Sequence, residues 1–408
     1  AALTGVGLTF PIITLISAFS AFVGMGGAPL AAIWMGKGDR KHAEKILGSG
    51  TCLLIFFSVI LMIVFFVFQR PFLYMFGASD ATIGYACEYL SIYLIGTLFV
   101  EAALGLNPFI ISQGQPRIAM FSIVIGAVVN IVLDPIFIFL FGWGVKGAAI
   151  ATVISQAMSA AWNVLFLIGK KTTLRLTWKN MKPDIRMMGQ ICSLGISPFI
   201  MRSTESLVSI VVNRGLQVYG GDMYVGSYTI MQSVLQLFSA PLSGFTQGVQ
   251  PIISYNYGAG NRGRVKKAFI LLLKCSMFYA ILFWAIVMLF PQMFVGMFTS
   301  DAALAEFTQG ALRIYMAVVC LFGIQMACQI TFGALGNAKS SILVAVMRKF
   351  ILLIPLIYIM PMVLSGDKTM AVYMAEPVAD VLAITFTGVL FFFQFRKVMT
   401  EMKQREKR

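Results

Sequence analysis

Asn130 and Asp134 stand four residues apart in an apolar run, and Pro135 follows them. Residues four apart share one face of a helix, so the carboxamide and the carboxylate point the same way. Pro135 cannot donate a backbone hydrogen bond, which releases the carbonyl of Ile131. Several oxygens therefore gather beside one kink, and such a group suits a hard cation such as Na⁺, or a proton. Thr152, in the next apolar run, is placed to add a hydroxyl. The same residues also fit a plainer role, in which Asp134 only hydrogen-bonds Asn130 at a bend.

Charges inside apolar spans cost roughly 2.5–3.5 kcal/mol each to insert, so each needs a partner or a task. Glu101, Arg202, Glu205, Arg348, Lys349, Glu376 and Asp380 share this position with Asp134. Arg202 and Glu205, three apart, can form an intrahelical ion pair; alternatively Glu205 faces a cavity and binds cations or protons. Arg348 and Lys349 lie too deep in their run to reach the headgroups easily. They are candidates to neutralise Glu205, Glu376 or Asp380, or to meet an anionic substrate. Glu376 and Asp380 share a helical face, and two close carboxylates titrate as a coupled pair. Glu101 is mid-span with no evident partner.

The elements that carry these residues are membrane helices. Hydrophobic residues make up 59% of 408 and charged residues only 12%, with mean hydropathy +0.86. A soluble domain of this size would carry far more charge. A bilayer is crossed by about 20 apolar residues as a helix. Eleven such stretches are expected, near 3–35, 49–68, 88–111, 118–141, 145–170, 188–216, 224–257, 268–290, 310–335, 340–362 and 369–395. In lipid, backbone groups must be satisfied within the segment, and the alternating pattern of a barrel is absent.

The chain also repeats itself. Pro29 to Gly36-Lys-Gly38-Asp39-Arg40 returns 222 residues later as Pro251 to Gly258-Ala-Gly260-Asn261-Arg262. Ile92-Tyr93 returns as Ile314-Tyr315, and Gly114 as Gly336. A membrane chain with two matching halves suggests a transporter whose site lies between them. At that offset the helix at 188–216 has its partner before residue 1, so the expectation is that a first helix of the first half is missing. The expected organisation is a first lobe over 1–170, a linker over 171–187, a second lobe over 188–395 and a basic tail over 396–408.

Charge orients the helices. Alternate loops and the tail hold 22 Lys and Arg, against four in the intervening loops, which places the first set and the C-terminus in the cytoplasm. The net charge of +15 is mostly this cytoplasmic face, dispersed over short loops, so no nucleic-acid partner is expected. The six cysteines lack metal-ligand spacing and read as small buried hydrophobes. No nucleophile–base or metal constellation argues for an enzyme. No soluble domain argues for a receptor or scaffold.

Taken in order, the paired Pro…Gly-x-Gly-[Asp/Asn]-Arg loops, Asn130-x-x-x-Asp134-Pro135, Gly142-Trp-Gly-Val-Lys-Gly147-Ala-Ala and Ala375-Glu376-Pro377-x-x-Asp380 resemble the MATE family (multidrug and toxic compound extrusion), in particular its bacterial MepA-like branch. The resemblance spans nearly the whole chain. It implies two six-helix lobes related by a pseudo-two-fold along the membrane normal, acting as a monomer in a bacterial cell membrane. It implies antiport, with Na⁺ or H⁺ entry driving export of organic cations and no other cofactor. The family's N-lobe ion site maps onto Asn130, Asp134 and Thr152. An aspartate of the first helix also belongs to that site and has no counterpart here. Another branch uses a C-lobe glutamate, at Glu205 here, although Ser197 stands for the usual proline. Its partner carboxylate falls at Gln325, so the coupling site is expected in the N-lobe. Arg202, Glu205, Gln325, Lys349, Glu376 and Asp380 remain candidates for substrate contact. A lipid-linked oligosaccharide flippase of the same superfamily is the alternative, with Arg202, Arg348 and Lys349 on a pyrophosphate headgroup.

Overall fold

The computed structural model describes residues 2–363 and 368–406, and among these every regular element is helical. The chain divides into two compact units, Ala1–Ser203 and Thr204–Arg408.

The first unit opens with the short α1 (Ala2–Gly7), followed by α2 (Phe10–Gly36) and α3 (Arg40–Met75). Next come α4 (Ile83–Ile95), α5 (Thr97–Ser112), α6 (Pro116–Pro135) and α7 (Gly144–Ile168). It also takes in the start of α8 (Ile185–Tyr219). The second unit continues α8 and adds α9 (Asp222–Gly258), α10 (Arg262–Leu289), the short α11 (Pro291–Val295) and α12 (Ala302–Tyr315). After these come α13 (Phe322–Ala334), α14 (Ala338–Val346), α15 (Ile354–Val363) and α16 (Lys368–Glu406).

Each of the eleven expected spans falls on a helix or a helix pair. Among the described residues, seven are long and apolar enough to cross a bilayer, and up to nine if each bent pair counts as one. The other two, α8 and α9, have the length but carry more polarity, with Arg202 and Glu205 on one and Gln232, Gln236, Gln247 and Gln250 on the other. Outward apolar side chains suit contact with lipid tails: on α6 and its extension, Ile123, Ile131 and Phe139 are exposed at eight-residue intervals.

The internal repeat is visible in local geometry. α4 and α5 meet at Gly96 with a bend of 58°, and α12 and α13 meet around Val318, 222 residues on, with a bend of 43°. Neither bend was legible as a break in the apolar run. Gly96 permits the first one to close, because a Cβ there would fall 2.6 Å from a methyl of Val153 on α7. The basic loops match too. Gly38 has φ of 81° and Gly260 has φ of 77°, a left-handed turn that favours glycine. In the first copy Asp39 then caps α3 by accepting from the His42 backbone N–H at 3.0 Å.

Small residues let helices of the first unit approach backbone to backbone. A Cβ on Gly24 of α2 would lie 2.7 Å from the carbonyl oxygen of Gly105 on α5. One on Gly195 of α8 would lie 1.9 Å from the carbonyl oxygen of Phe22 on α2. Phe19, Phe22, Phe57 and Phe199 cluster beside this contact.

The basic segment after α7 is docked rather than free. Gln113 Oε1 accepts from the Thr172 hydroxyl at 2.7 Å and from the backbone N–H groups of Thr173 and Leu174, each at 2.9 Å. Glu44 accepts from the Arg175 backbone N–H at 3.2 Å and from Asn180 Nδ2 at 3.3 Å.

Candidate functional site

In the first unit, α6 carries Asn130 and Asp134, and it packs along α7 through Ser122, Gly126 and, just past its end, Phe137. Ser122 and Ser159 exchange hydroxyl-to-carbonyl hydrogen bonds at 3.1 and 2.8 Å. A Cβ on Gly126 would touch Ser159, and one on Gly147 would meet Phe137. These contacts set an antiparallel register in which Thr152 falls, along the helix axis, at the height of the turn from Asn130 to Asp134. Asn130 Nδ2 donates to Asp134 Oδ1 at 3.3 Å, and both residues are half-buried. Among the described residues no lysine or arginine forms a salt bridge with Asp134. The Thr152 hydroxyl donates to the Ala148 carbonyl at 2.9 Å, which leaves its oxygen lone pairs directed elsewhere.

Past Pro135, residues Ile136–Leu140 form a π-helical turn. The missing N–H of Pro135 breaks the regular bonding and the wider turn absorbs the register change, a feature frequent at functional sites. Tyr89 of α4 reaches towards Thr152 and lies in electrostatic range of Asp134. Sequence reasoning passed over this tyrosine. Its signal was the pair Tyr89 and Tyr93, four apart on one helical face of an apolar run; the rings stack at 6.2 Å.

The second unit holds a different arrangement. Residues Met347–Leu353 form a π-helical turn between α14 and α15, and it carries Arg348 and Lys349 inward. Arg348 Nε donates to Asp380 Oδ1 of α16 at 2.8 Å. Its second nitrogen is 3.8 Å from Glu376 Oε1, and its guanidinium lies 4.7 Å from the ring centre of Phe322. Arg348, Lys349, Glu376 and Asp380 are all buried, so two cations and two carboxylates balance within one cluster. Glu205 is exposed and lies in electrostatic range of Lys349 and Glu376. Arg202 is exposed on α8. Gln325 is buried on α13 with its Oε1 unpartnered, and its Nε2 is 3.5 Å from Gln329 Oε1.

Tyrosines surround this cluster. Gln232 Nε2 donates to the hydroxyls of Tyr228 and Tyr315. Tyr315 lies in electrostatic range of Glu376 and Asp380, and it is the repeat partner of Tyr93. The repeat had marked Tyr315 without indicating what it faces. Among the described residues no three His, Cys, Asp or Glu side chains converge as a metal cluster.

The MatE family model matches residues 1–136 and 199–359. The chain belongs to the MATE family. Among curated proteins it is 27% identical over 363 residues to the multidrug export protein MepA of Staphylococcus haemolyticus, covering 88% of this chain and 78% of that one. Against MepA of Staphylococcus aureus strain N315 the identity is 26% over 359 residues, covering 88% and 79%. Among solved structures, a MATE transporter in the bent conformation superposes with a TM-score of 0.93 at 22% identity, over 98% of this chain and 89% of that one. An outward-facing multidrug resistance MATE transporter gives 0.90 at 23% identity, over 98% and 89%. These likenesses establish the MATE fold, and the relatives support the MepA-like branch. The protein is therefore a multi-pass membrane protein of a transporter family. Nothing in these relatives supports the flippase alternative.

Proposed function

We propose that this MATE protein exports organic cations and drugs across a bacterial cell membrane by antiport, with Na⁺ or H⁺ exchanged at Asp134. The observation that carries this reading is the company Asp134 keeps. Among the described residues its hydrogen-bonding neighbour is the neutral amide of Asn130, and no lysine or arginine forms a salt bridge with it. A half-buried carboxylate without a permanent counter-ion is open to an exchangeable one. The relatives named as multidrug export proteins support the substrate class.

The chemistry follows from the donor set. With Asp134 ionised, the Asn130 amide offers its N–H, as it does here. When a proton or Na⁺ arrives, a half-turn of the amide presents its oxygen instead, since the group donates on one side and accepts on the other. Thr152 Oγ1 and the Ile131 carbonyl freed by Pro135 supply further oxygens of the hard type that Na⁺ prefers. Neutralising Asp134 lowers the cost of withdrawing it from water. α6 then bends at the Pro135 junction, where the π turn already interrupts regular bonding. An ion shifts the balance between two states only through its different affinity for them. Asp134 supplies that difference when one state wets the carboxylate and the other buries it.

The test is efflux of tetraphenylphosphonium from vesicles holding the purified protein, with Na⁺ and proton gradients imposed one at a time. One gradient is expected to drive export in the wild type, and Asp134→Asn is expected to abolish that drive. Full gradient-driven export by Asp134→Asn would refute the assignment.

A further inference from the structure

Glu101 is the one buried acid of the first unit that the mechanism above leaves unused. Its side chain is fully buried; neither carboxyl oxygen makes a hydrogen bond of good geometry, and the Ser20 hydroxyl of α2 is the group within interaction range of it. The facing helix explains the place. α2 and α5 run in the same direction, with Gly24 against Gly105 and Gly27 against Phe109. One turn earlier that register sets Ser20 opposite Glu101. The Ser20 hydroxyl is turned to the Ile16 carbonyl at 3.5 Å. Thr97, one turn before Glu101 on the same face, is buried with its hydroxyl unpartnered.

Among the described residues no fixed charge forms a salt bridge with this carboxyl. α2 has no ionisable side chain, and between Lys45 and Arg70 α3 has only the thiol of Cys52, which donates to the Met181 carbonyl at 2.9 Å. α6 offers Arg117 at its start and Asp134 near its end, and α7 offers only Lys146, which pairs with Glu88 of α4 at 3.4 Å. On α4 the titratable groups that reach inward are Tyr89 and Tyr93. Tyr93 is in electrostatic range of Glu101 and of Tyr89, and Tyr89 of Asp134. Tyr93 and Tyr89, one turn apart on α4, are thus each within electrostatic range of one of the two carboxyls.

The second unit supplies the contrast. Tyr315, the repeat partner of Tyr93, also sits near buried carboxylates, but there Arg348 neutralises them. The residue at the repeat position of Glu101 is Gly323, whose added Cβ would meet the Ser276 backbone at 2.7 Å. The acid belongs to the first half alone, and it comes without the cation that makes burial tolerable in the second.

We propose that Glu101 is a second proton-binding site of the first unit, a buried carboxylic acid whose proton exchanges with the Asp134 site past Tyr93 and Tyr89. An ionised carboxylate with no partner is the costly state for such a position, whereas the neutral acid is tolerated. Each phenol gives a proton on one side as it takes one on the other, so passage leaves no net charge on either ring. Occupancy of Glu101 stands on its own geometry; the exchange rests on the proton-coupled reading above.

The test is infrared difference spectroscopy on the purified full chain at neutral pH, with Glu101→Gln and Asp134→Asn. The carbonyl stretch of a protonated carboxylic acid is expected in the wild type and in Asp134→Asn, and absent in Glu101→Gln. If Glu101→Gln fails to fold, Glu101→Asp serves, with the same band expected at a shifted frequency. A wild type without the band, or a band unmoved by these substitutions, overturns the site. In vesicles, Glu101→Gln is expected to lower the protons taken up per tetraphenylphosphonium exported, and an unchanged ratio overturns the exchange. Failure of the antiport reading shows separately, as gradient-driven export by Asp134→Asn, and leaves the infrared result in place.

Discussion

Removing the carboxylate of Asp380 isolates the strongest electrostatic feature of the second unit. Arg348 is 6% exposed and Asp380 8%. At an effective dielectric constant of about 20, attraction between unit charges is roughly 6 kcal/mol at 2.8 Å and roughly 4 kcal/mol at 3.8 Å. Most of this is cancelled by desolvation, and the net worth of such a cluster is small. Deleting one member is a different matter, because the remaining charge stays buried: the cost is about 3–5 kcal/mol. For a unit of this size a kcal/mol moves the midpoint of thermal unfolding by about 2–4 °C, so Asp380→Asn should lose about 6–20 °C. Glu376→Gln, acting on the longer contact, should lose less. The charge-free pair Arg348→Met with Asp380→Leu should recover most of the loss, since Lys349 stays in range of Glu376. The assay is thermal unfolding of the purified protein in detergent, read as a double-mutant cycle. Asp380→Asn unfolding within about 2 °C of wild type, or a double variant as unstable as the two single losses added, would refute the reasoning.

Other consequences are simpler to state. Gly195→Ala forces a Cβ to 1.9 Å from the Phe22 carbonyl oxygen and should cost about 1–3 kcal/mol by thermal unfolding. Gln113→Leu removes the acceptor that holds Thr172, Thr173 and Leu174, and limited proteolysis should cut after Lys170 or Lys171 faster than in wild type. Tyr315→Phe removes the hydroxyl that accepts from Gln232 at 3.0 Å and should cost about 1 kcal/mol, again by thermal unfolding.

Much of the fold was legible because membrane helices write themselves as long apolar runs. The 222-residue repeat also foretold the matching turns at Gly38 and Gly260. The bends at Gly96 and near Val318 were not legible, since both sides of each are equally apolar and the break serves packing between helices. At the sites, periodicity paired Asn130 with Asp134 along one helix, and Pro135 marked the irregular turn. Periodicity along one helix does not say which charges meet across helices. That Arg348 chooses Asp380 and Glu376 follows from the π turn at Met347–Leu353, and no propensity announces such a turn. Tyr89 stayed hidden because one tyrosine among thirteen looks like packing until its neighbours are known.

Competition between ligand and ion is the direct signature of exchange at Asp134. Linkage requires that an ion exchanged at Asp134 weaken the binding of the exported cation by the factor with which that cation weakens the ion. The measurement is the dissociation constant of tetraphenylphosphonium for the purified protein across a range of pH and of Na⁺ concentration, in wild type and in Asp134→Asn. Affinity is expected to fall as one of the two ions rises in the wild type, and Asp134→Asn is expected to bind still, with an affinity indifferent to both. An Asp134→Asn protein that keeps the wild-type ion dependence would contradict exchange at Asp134.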